Sequence, residues 1–231
     1  MSKADIYIDK YKELEAVIRN TFNLKMDDSV SYELLKKPGY ARYKPDIIYC
    51  RDVRNILQHR EKLNKEFAIE PNDAMIAFLE RLIEQLRNRK KCADVCVPNT
   101  KIYSCTSESM VKEVMQKMTE KLYTYVPLME NSVVRGVFDE NSMFRYIAEE
   151  EIVAIDTDLK IKDLEKYVLP LEREMEDFIF VKKNMYVDEL QEIIQDYTQK
   201  GKRVGAVFVT ENGKGTEKVF GLITPWDIIG M

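Results

Sequence analysis

Lys218-Val219-Phe220-Gly221-Leu222-Ile223-Thr224-Pro225-Trp226-Asp227-Ile228-Ile229 changes character at Thr224. Val219 to Ile223 forms an apolar run of strand length, and Pro225, whose fixed φ suits the first helical position, turns the chain into a helix. A strand-to-helix junction of this kind can hold a phosphate or a sugar. Its first backbone N–H groups attract anions, the Thr224 hydroxyl can join them, and the Asp227 carboxylate one turn later can accept both hydroxyls of a ribose. The same residues also suit an ordinary N-capped junction, so the rest of the chain has to decide.

An earlier segment repeats the pattern. Ile102-Tyr103-Ser104 is expected as a short strand, Val111, Val114, Met115 and Met118 line a helix, and Thr124 to Met129 and Val133 to Phe138 form a hairpin around Glu130-Asn131-Ser132. The later segment has the same pieces in the same order. Phe178 to Val181 is a strand, Val187, Leu190, Ile193 and Ile194 line a helix, and Val204 to Thr210 and Val219 to Ile223 flank Glu211-Asn212-Gly213. Gly136-Val137-Phe138 falls on Gly221-Leu222-Ile223 once four extra residues are allowed in the second hairpin.

Gly221-Leu222-Ile223-Thr224-Pro225-Trp226-Asp227 resembles the closing motif of a CBS domain, and the repeat resembles a tandem CBS pair, or Bateman module, over roughly 60% of the chain. The resemblance implies a β-α-β-β-α unit occurring twice and an adenine nucleotide (AMP, ADP or ATP) as regulatory ligand. Thr224 would contact phosphate, Asp227 the ribose, and the adenine would lie beside Ile179, Val181 and Ala206. Lys182, Lys183, Lys202 or Arg203 stands near enough in sequence to offer charge to the phosphates. The first copy departs from the motif, with Asp139 at the Thr position and Ser142 at the Asp position. A carboxylate there repels an anion, so one competent site and one silent one are expected.

The first ninety residues carry no strand signal. Tyr11, Leu14, Val17 and Ile18 share a helical face, Asp27-Asp28-Ser29 can cap a short helix through Leu35, and Ile47, Cys50, Val53 and Leu57 line a third. Pro71-Asn72-Asp73 starts the clearest helix, with Met75, Phe78, Leu79, Leu82, Ile83 and Leu86 on one stripe. The fold class expected is α+β, divided into a helical bundle over 1–91 and CBS-like copies over 92–150 and 151–231.

Arg54-Asn55-Ile56-Leu57-Gln58-His59 contains the only histidine. Asn55 and His59, four apart, share a face. The spacing resembles the Arg-Asn-x-x-x-His motif of HEPN domains, helical bundles found in metal-independent ribonucleases and in non-catalytic partners. That resemblance implies a site shared across a homodimer, with His59 moving the proton of an RNA 2′-hydroxyl, Arg54 stabilising phosphate charge and Asn55 orienting the group. In the other reading the three residues tie the helix to its neighbours or to the dimer partner.

Composition fits these readings. Apolar residues make up 45% of 231 and charged residues 33%, so a packed core is expected and disorder is not. No apolar run approaches a membrane span, and a cytoplasmic location is expected. Cys50, Cys92, Cys96 and Cys105 suit neither a disulfide framework nor zinc-ligand spacing, so no metal is expected. The net charge of −4 hides an uneven distribution: residues 36–65 carry nine Lys/Arg against three acids, and residues 149–177 carry eleven acids against four bases. The basic zone is a candidate RNA-backbone surface, and the partners expected are a second copy of the chain and an adenosine-containing small molecule.

Overall fold

A computed structural model describes residues 2–26, 29–59, 67, 69–150 and 158–228. It divides into two compact units, Met1–Arg89 and Lys90–Met231.

The first unit is helical, with α1 (Lys3–Phe22), α2 (Val30–Leu35), α3 (Lys44–His59) and α4 (Asp73–Arg87). Ser2 and Asp5 close a capping box at the start of α1, and Asn23 ends it in a left-handed conformation at φ 51°. Asn72 caps α4 by accepting from Met75 N at 2.9 Å. Of the expected capping stretch Ser29 stands at the N-cap of α2, where its side chain makes no capping bond, and Asp27 and Asp28 lie outside the described residues. Tyr7, Tyr11, Leu14 and Ile18 bury one stripe of α1 against Leu79, Leu82, Ile83 and Leu86 of α4. Two buried hydroxyls cross-link the bundle: Tyr7 Oη donates to the Cys50 carbonyl at 2.7 Å, and Tyr11 Oη meets Ser31 Oγ at 2.9 Å.

The second unit runs α5 (Cys92–Val95), β1 (Val97–Pro98), α6 (Val111–Lys121), β2 (Tyr125–Glu130), β3 (Val133–Asp139), α7 (Glu140–Glu149), α8 (Glu165–Val168), β4 (Glu176–Lys182), α9 (Val187–Gln199), β5 (Arg203–Thr210), β6 (Gly221–Ile223) and α10 (Pro225–Ile228). One sheet has the order β1-β6-β5-β4, and β2 and β3 form a hairpin. The register shows the duplication. Cys105 bridges Leu128 in parallel and Leu128 faces Gly136 across the hairpin. Val181 pairs with Val209 in parallel and Val209 faces Gly221. Each hairpin therefore has the same parallel neighbour at the same rung.

The segments that lead into the two copies exchange places. Val187 N donates to Lys90 O at 2.9 Å, Cys92 N to Met185 O at 2.8 Å and Ala93 N to Lys183 O at 3.0 Å, so the leader of the first copy caps the second. In return Val111 N donates to Leu159 O at 2.9 Å, Ile161 N to Ser109 O at 3.0 Å and Lys162 N to Ser107 O at 3.0 Å. The apolar cores follow: Cys92 packs with Val181 and Leu190, while Leu159, Ile161 and Leu164 pack with Val111 and Val114. Gly136 and Gly221 permit the two crossings. A Cβ on Gly136 would lie 2.4 Å from Val168 O, and one on Gly221 2.3 Å from Cys96 Sγ.

The strand expected over Ile102-Tyr103-Ser104 does not form; Cys105 alone bridges β2. Cys105 N donates to Pro127 O at 3.0 Å and Met129 N to Cys105 O at 2.9 Å. Extending that parallel ladder to Tyr103 would require an N–H from Pro127, which has none. Phe208 holds the related rung of β5 and has its N–H, so β4 runs the full length. The hairpin turn of the first copy places Asn131 and Ser132 at φ 52° and 65°, as a two-residue type I′ connection requires.

Candidate functional site

In the second copy β6 delivers Thr224 to the start of α10. Thr224 N and Thr224 Oγ1 both donate to Asp227 Oδ2, at 2.7 and 2.8 Å, and Asp227 N donates back to Thr224 O at 3.0 Å. This turn opens onto a cleft of about 720 Å³ between the two copies. Thr224, Asp227, Ala206 and Arg203 line it, together with Lys101, Tyr125, Glu176 and Trp226.

Two expectations change. Ile179 and Val181 do not line the cleft: they lie on the face of the sheet that carries Val207 and Val209 and pack against Leu190 and Ile194 of α9. Ala206 lies on the opposite face with Phe178 and Phe208. The cleft takes Ile194 and Val204 from the first of these clusters and Ala206 from the second, and Ile179 and Val181 lie deeper, outside its lining. The second change concerns the phosphate. Thr224 gives both its N–H and its hydroxyl hydrogen to Asp227, and Pro225 has no N–H, so the turn is less of an anion cradle than its sequence suggests. Charge for an anion is instead offered by Lys101 and Arg203, the latter with a side chain 73% exposed.

The related turn of the first copy is built with its two chemistries exchanged. Asp139 Oδ1 accepts from Ser142 N at 2.9 Å and from Ser142 Oγ at 2.6 Å. The carboxylate is buried, and Arg173 neutralises it: Nη1 lies 2.8 Å from Asp139 Oδ2, with the two side chains 9% and 2% exposed. Arg173 Nη2 also donates to Val137 O at 2.7 Å and Nε to Pro170 O at 3.1 Å. A separate cavity of about 520 Å³ touches Asp139 and Met143. The segments Pro98-Asn99-Thr100-Lys101 and Pro170-Leu171-Glu172-Arg173 occupy related places, each following the stretch that crosses Gly221 or Gly136. One ends in the arginine that seals the first turn and the other in a lysine that lines the second cleft.

Tyr125, Glu176, Lys101 and Trp226 are cleft residues that the sequence reading did not select. Lys101 was marked by the repeated Pro-x-x-Lys/Arg spacing, whereas Glu176 is one of eleven acids in a charged stretch and carried no signal of its own. Tyr125 Oη donates to Glu176 Oε1 at 2.8 Å, and its ring meets Phe178 edge-on at 5.3 Å. Burial, and then the bond to the Glu176 carboxylate, hold the Tyr125 phenol well above its ordinary range.

In the helical unit α3 carries Arg54, Asn55 and His59; the side chain of His59 lies outside the described residues, as do residues 60–66 of the basic zone. Arg54 turns onto its own bundle. Nη2 lies 3.5 Å from Glu15 Oε1, Nη1 donates to Asn55 Oδ1 at 3.1 Å, and the guanidinium sits 5.7 Å from the centre of the Tyr11 ring. Among the described residues no group of three or more His, Cys, Asp or Glu could hold a metal ion. No described helix is long and apolar enough to cross a membrane.

A model of the CBS domain family matches residues 92–149, the first copy. No curated protein matches the chain. Among solved structures, a hemolysin-like protein containing a CBS domain from Oenococcus oeni is 21% identical, with 65% of this chain and 94% of that one covered at a TM-score of 0.42. CBSX2 in complex with AMP is 12% identical, with 60% and 92% covered at 0.43. The CBS domain of a bacterial CNNM/CorC family Mg²⁺ transporter in complex with ATP is 18% identical, with 61% and 84% covered at 0.42. These scores lie below 0.5, and the duplicated β/α unit stands on its own register and leader exchange.

Proposed function

We propose that residues 90–231 bind one adenine nucleotide, AMP, ADP or ATP, in the cleft at Thr224 and Asp227, and that its occupancy regulates the helical unit of a cytoplasmic homodimer. The carrying observation is the contrast between the two turns. One opens its Thr-x-x-Asp onto a cleft lined by Lys101 and Arg203, and in the other the acid, Asp139, is buried and neutralised by Arg173. The CBS-family match over the first copy fits the ligand class.

Asp227 keeps Oδ1 for a ribose hydroxyl while Oδ2 holds the turn, and Lys101 and Arg203 offset phosphate charge. A ligand bound 1–3 kcal/mol more tightly to one arrangement of the dimer shifts its population by about 5- to 150-fold. The helical unit is the regulated partner in this reading, with the Arg54 guanidinium turned onto Glu15 and Asn55 of its own bundle.

The test is a thermal shift of the full chain with millimolar AMP, ADP and ATP. A nucleotide at one hundred times its dissociation constant stabilises by about 2.7 kcal/mol. Wild type should shift with at least one of the three, and Asp227→Ala should lose that shift while still unfolding cooperatively. No shift in wild type with any of them rules the reading out. Light scattering tests the dimer.

A further inference from the structure

The two copies differ between their helices as well as at their turns. In the second copy Gln191 Nε2 donates to Ile228 O at 3.0 Å and ties α9 to α10. Val111 and Val187 begin their helices with equivalent leader bonds, to Leu159 O and Lys90 O at 2.9 Å, so the first-copy counterpart of Gln191 is Met115. A thioether has no hydrogen to donate. The counterpart of Ile228, one residue past the turn, is Met143. Where the second copy has that bond, the first has a cavity of about 520 Å³, lined by Met115 and Met118 of α6, Met143 of α7, Phe138 and Tyr123. The volume is that of a small-ligand pocket.

The lining says what kind of molecule fits. Methionine sulfurs are polarisable, repack easily and make favourable contacts with aromatic ring edges, and three of them converge here with two aromatic side chains. The charge has one sign. Asp139 and Glu140 both line the cavity, and among the described residues no lysine or arginine does. Asp139 is spent on Arg173 and Ser142. Glu140 is exposed and holds no hydrogen bond or ion pair among the described residues. It stands where the second copy has Pro225, so this carboxylate has no counterpart there. We propose that the cavity between α6 and α7 is a further ligand site, which takes an aromatic ring bearing a protonated amine. The ring lies among Met115, Met118 and Met143, and the ammonium donates to Glu140 at the rim. A nucleotide is the wrong class of ligand here, because its phosphate would face carboxylates and no free cation.

Tryptamine and indoleacetate share a ring and carry opposite charges, and both can be titrated by NMR into the full chain isotope-labelled at its methionine methyls. Tryptamine should move the signals of Met115, Met118 and Met143, each assigned through its own leucine variant, and leave that of Met75, in the core of the helical unit, in place. It should bind about tenfold or more tightly than indoleacetate, since the carboxylate attracts one ligand and repels the other. Glu140→Gln, an exposed change that the fold tolerates, should bring the two affinities within about threefold. Glu113→Gln, which removes an acid of α6 outside the cavity lining, should leave their ratio as it is in wild type. Millimolar tryptamine that moves none of the three signals overturns the proposal. So does a ratio that survives Glu140→Gln, or one that falls equally in Glu113→Gln.

Discussion

The two turns that end the hairpins share backbone and position and differ in what their carboxylate faces. In Thr224-x-x-Asp227 the acid is the fourth residue, is exposed, and holds the turn through Oδ2 alone among the described residues. In Asp139-x-x-Ser142 the acid is the first residue, is 1% exposed, and holds Arg173. Moving the carboxylate three positions back draws it under the crossing segment, where only an internal cation can satisfy it. A duplicated unit can thus keep its cap in both copies while the carboxylate is exposed in one and neutralised internally in the other. The arginine that fills the first place and the lysine that lines the second show the same division of labour from the other side.

That comparison is most sharply broken at the two cations. Arg173→Ala leaves Asp139 buried without its partner and should cost about 3–5 kcal/mol, whereas Lys101→Ala, at the related place on an open cleft, should stay within about 0.5 kcal/mol. Urea unfolding of both variants checks it, and equal losses would show that the two places are not alternatives of one design. Next in size are the glycines. Gly136→Ala and Gly221→Ala each push a Cβ into the crossing segment and should each cost about 1–3 kcal/mol. A loss at one and none at the other would mean that only one leader is firmly seated.

A smaller effect concerns the thiols. Burial pushes Cys92 and Cys105, which sit in the cores of opposite copies, up to about 12. A thiol whose folded pKa is raised holds its stabilising share below the unfolded value near 9 and loses it as pH climbs toward 12. Stability should therefore fall across that alkaline window. At pH 8 both thiols should resist a disulfide reagent in the native protein and react at once in denaturant. Rapid reaction of either in the native state would place it outside its core.

Much of this architecture was legible in residues that act locally. The hairpin at Glu130-Asn131-Ser132, the Pro225 helix start, the Asn72 cap and the aligned Gly136 and Gly221 depend on turn chemistry and close approach, which residue type alone restricts. Pro127 was legible too, but its consequence falls on a different segment, Ile102–Ser104, and emerges only once the pairing is known. Ile179 and Val181 illustrate a different limit. Their apolar character fits either face of a strand, and only the helix packed on them settles which. Glu176 and Arg173 were hardest to single out. Both lie in an acidic, mixed-charge stretch, and what distinguishes each is a partner far along the chain, Tyr125 for one and Asp139 for the other.

The central claim is that a single copy has kept a ligand-holding carboxylate. Calorimetric titration of the full chain with AMP, ADP and ATP measures it directly. We expect one nucleotide bound per chain, with affinity reduced at least tenfold, about 1.4 kcal/mol, in Asp227→Ala and unchanged in Ser142→Ala. Two nucleotides per chain, or binding that survives Asp227→Ala and is lost in Ser142→Ala, would contradict it.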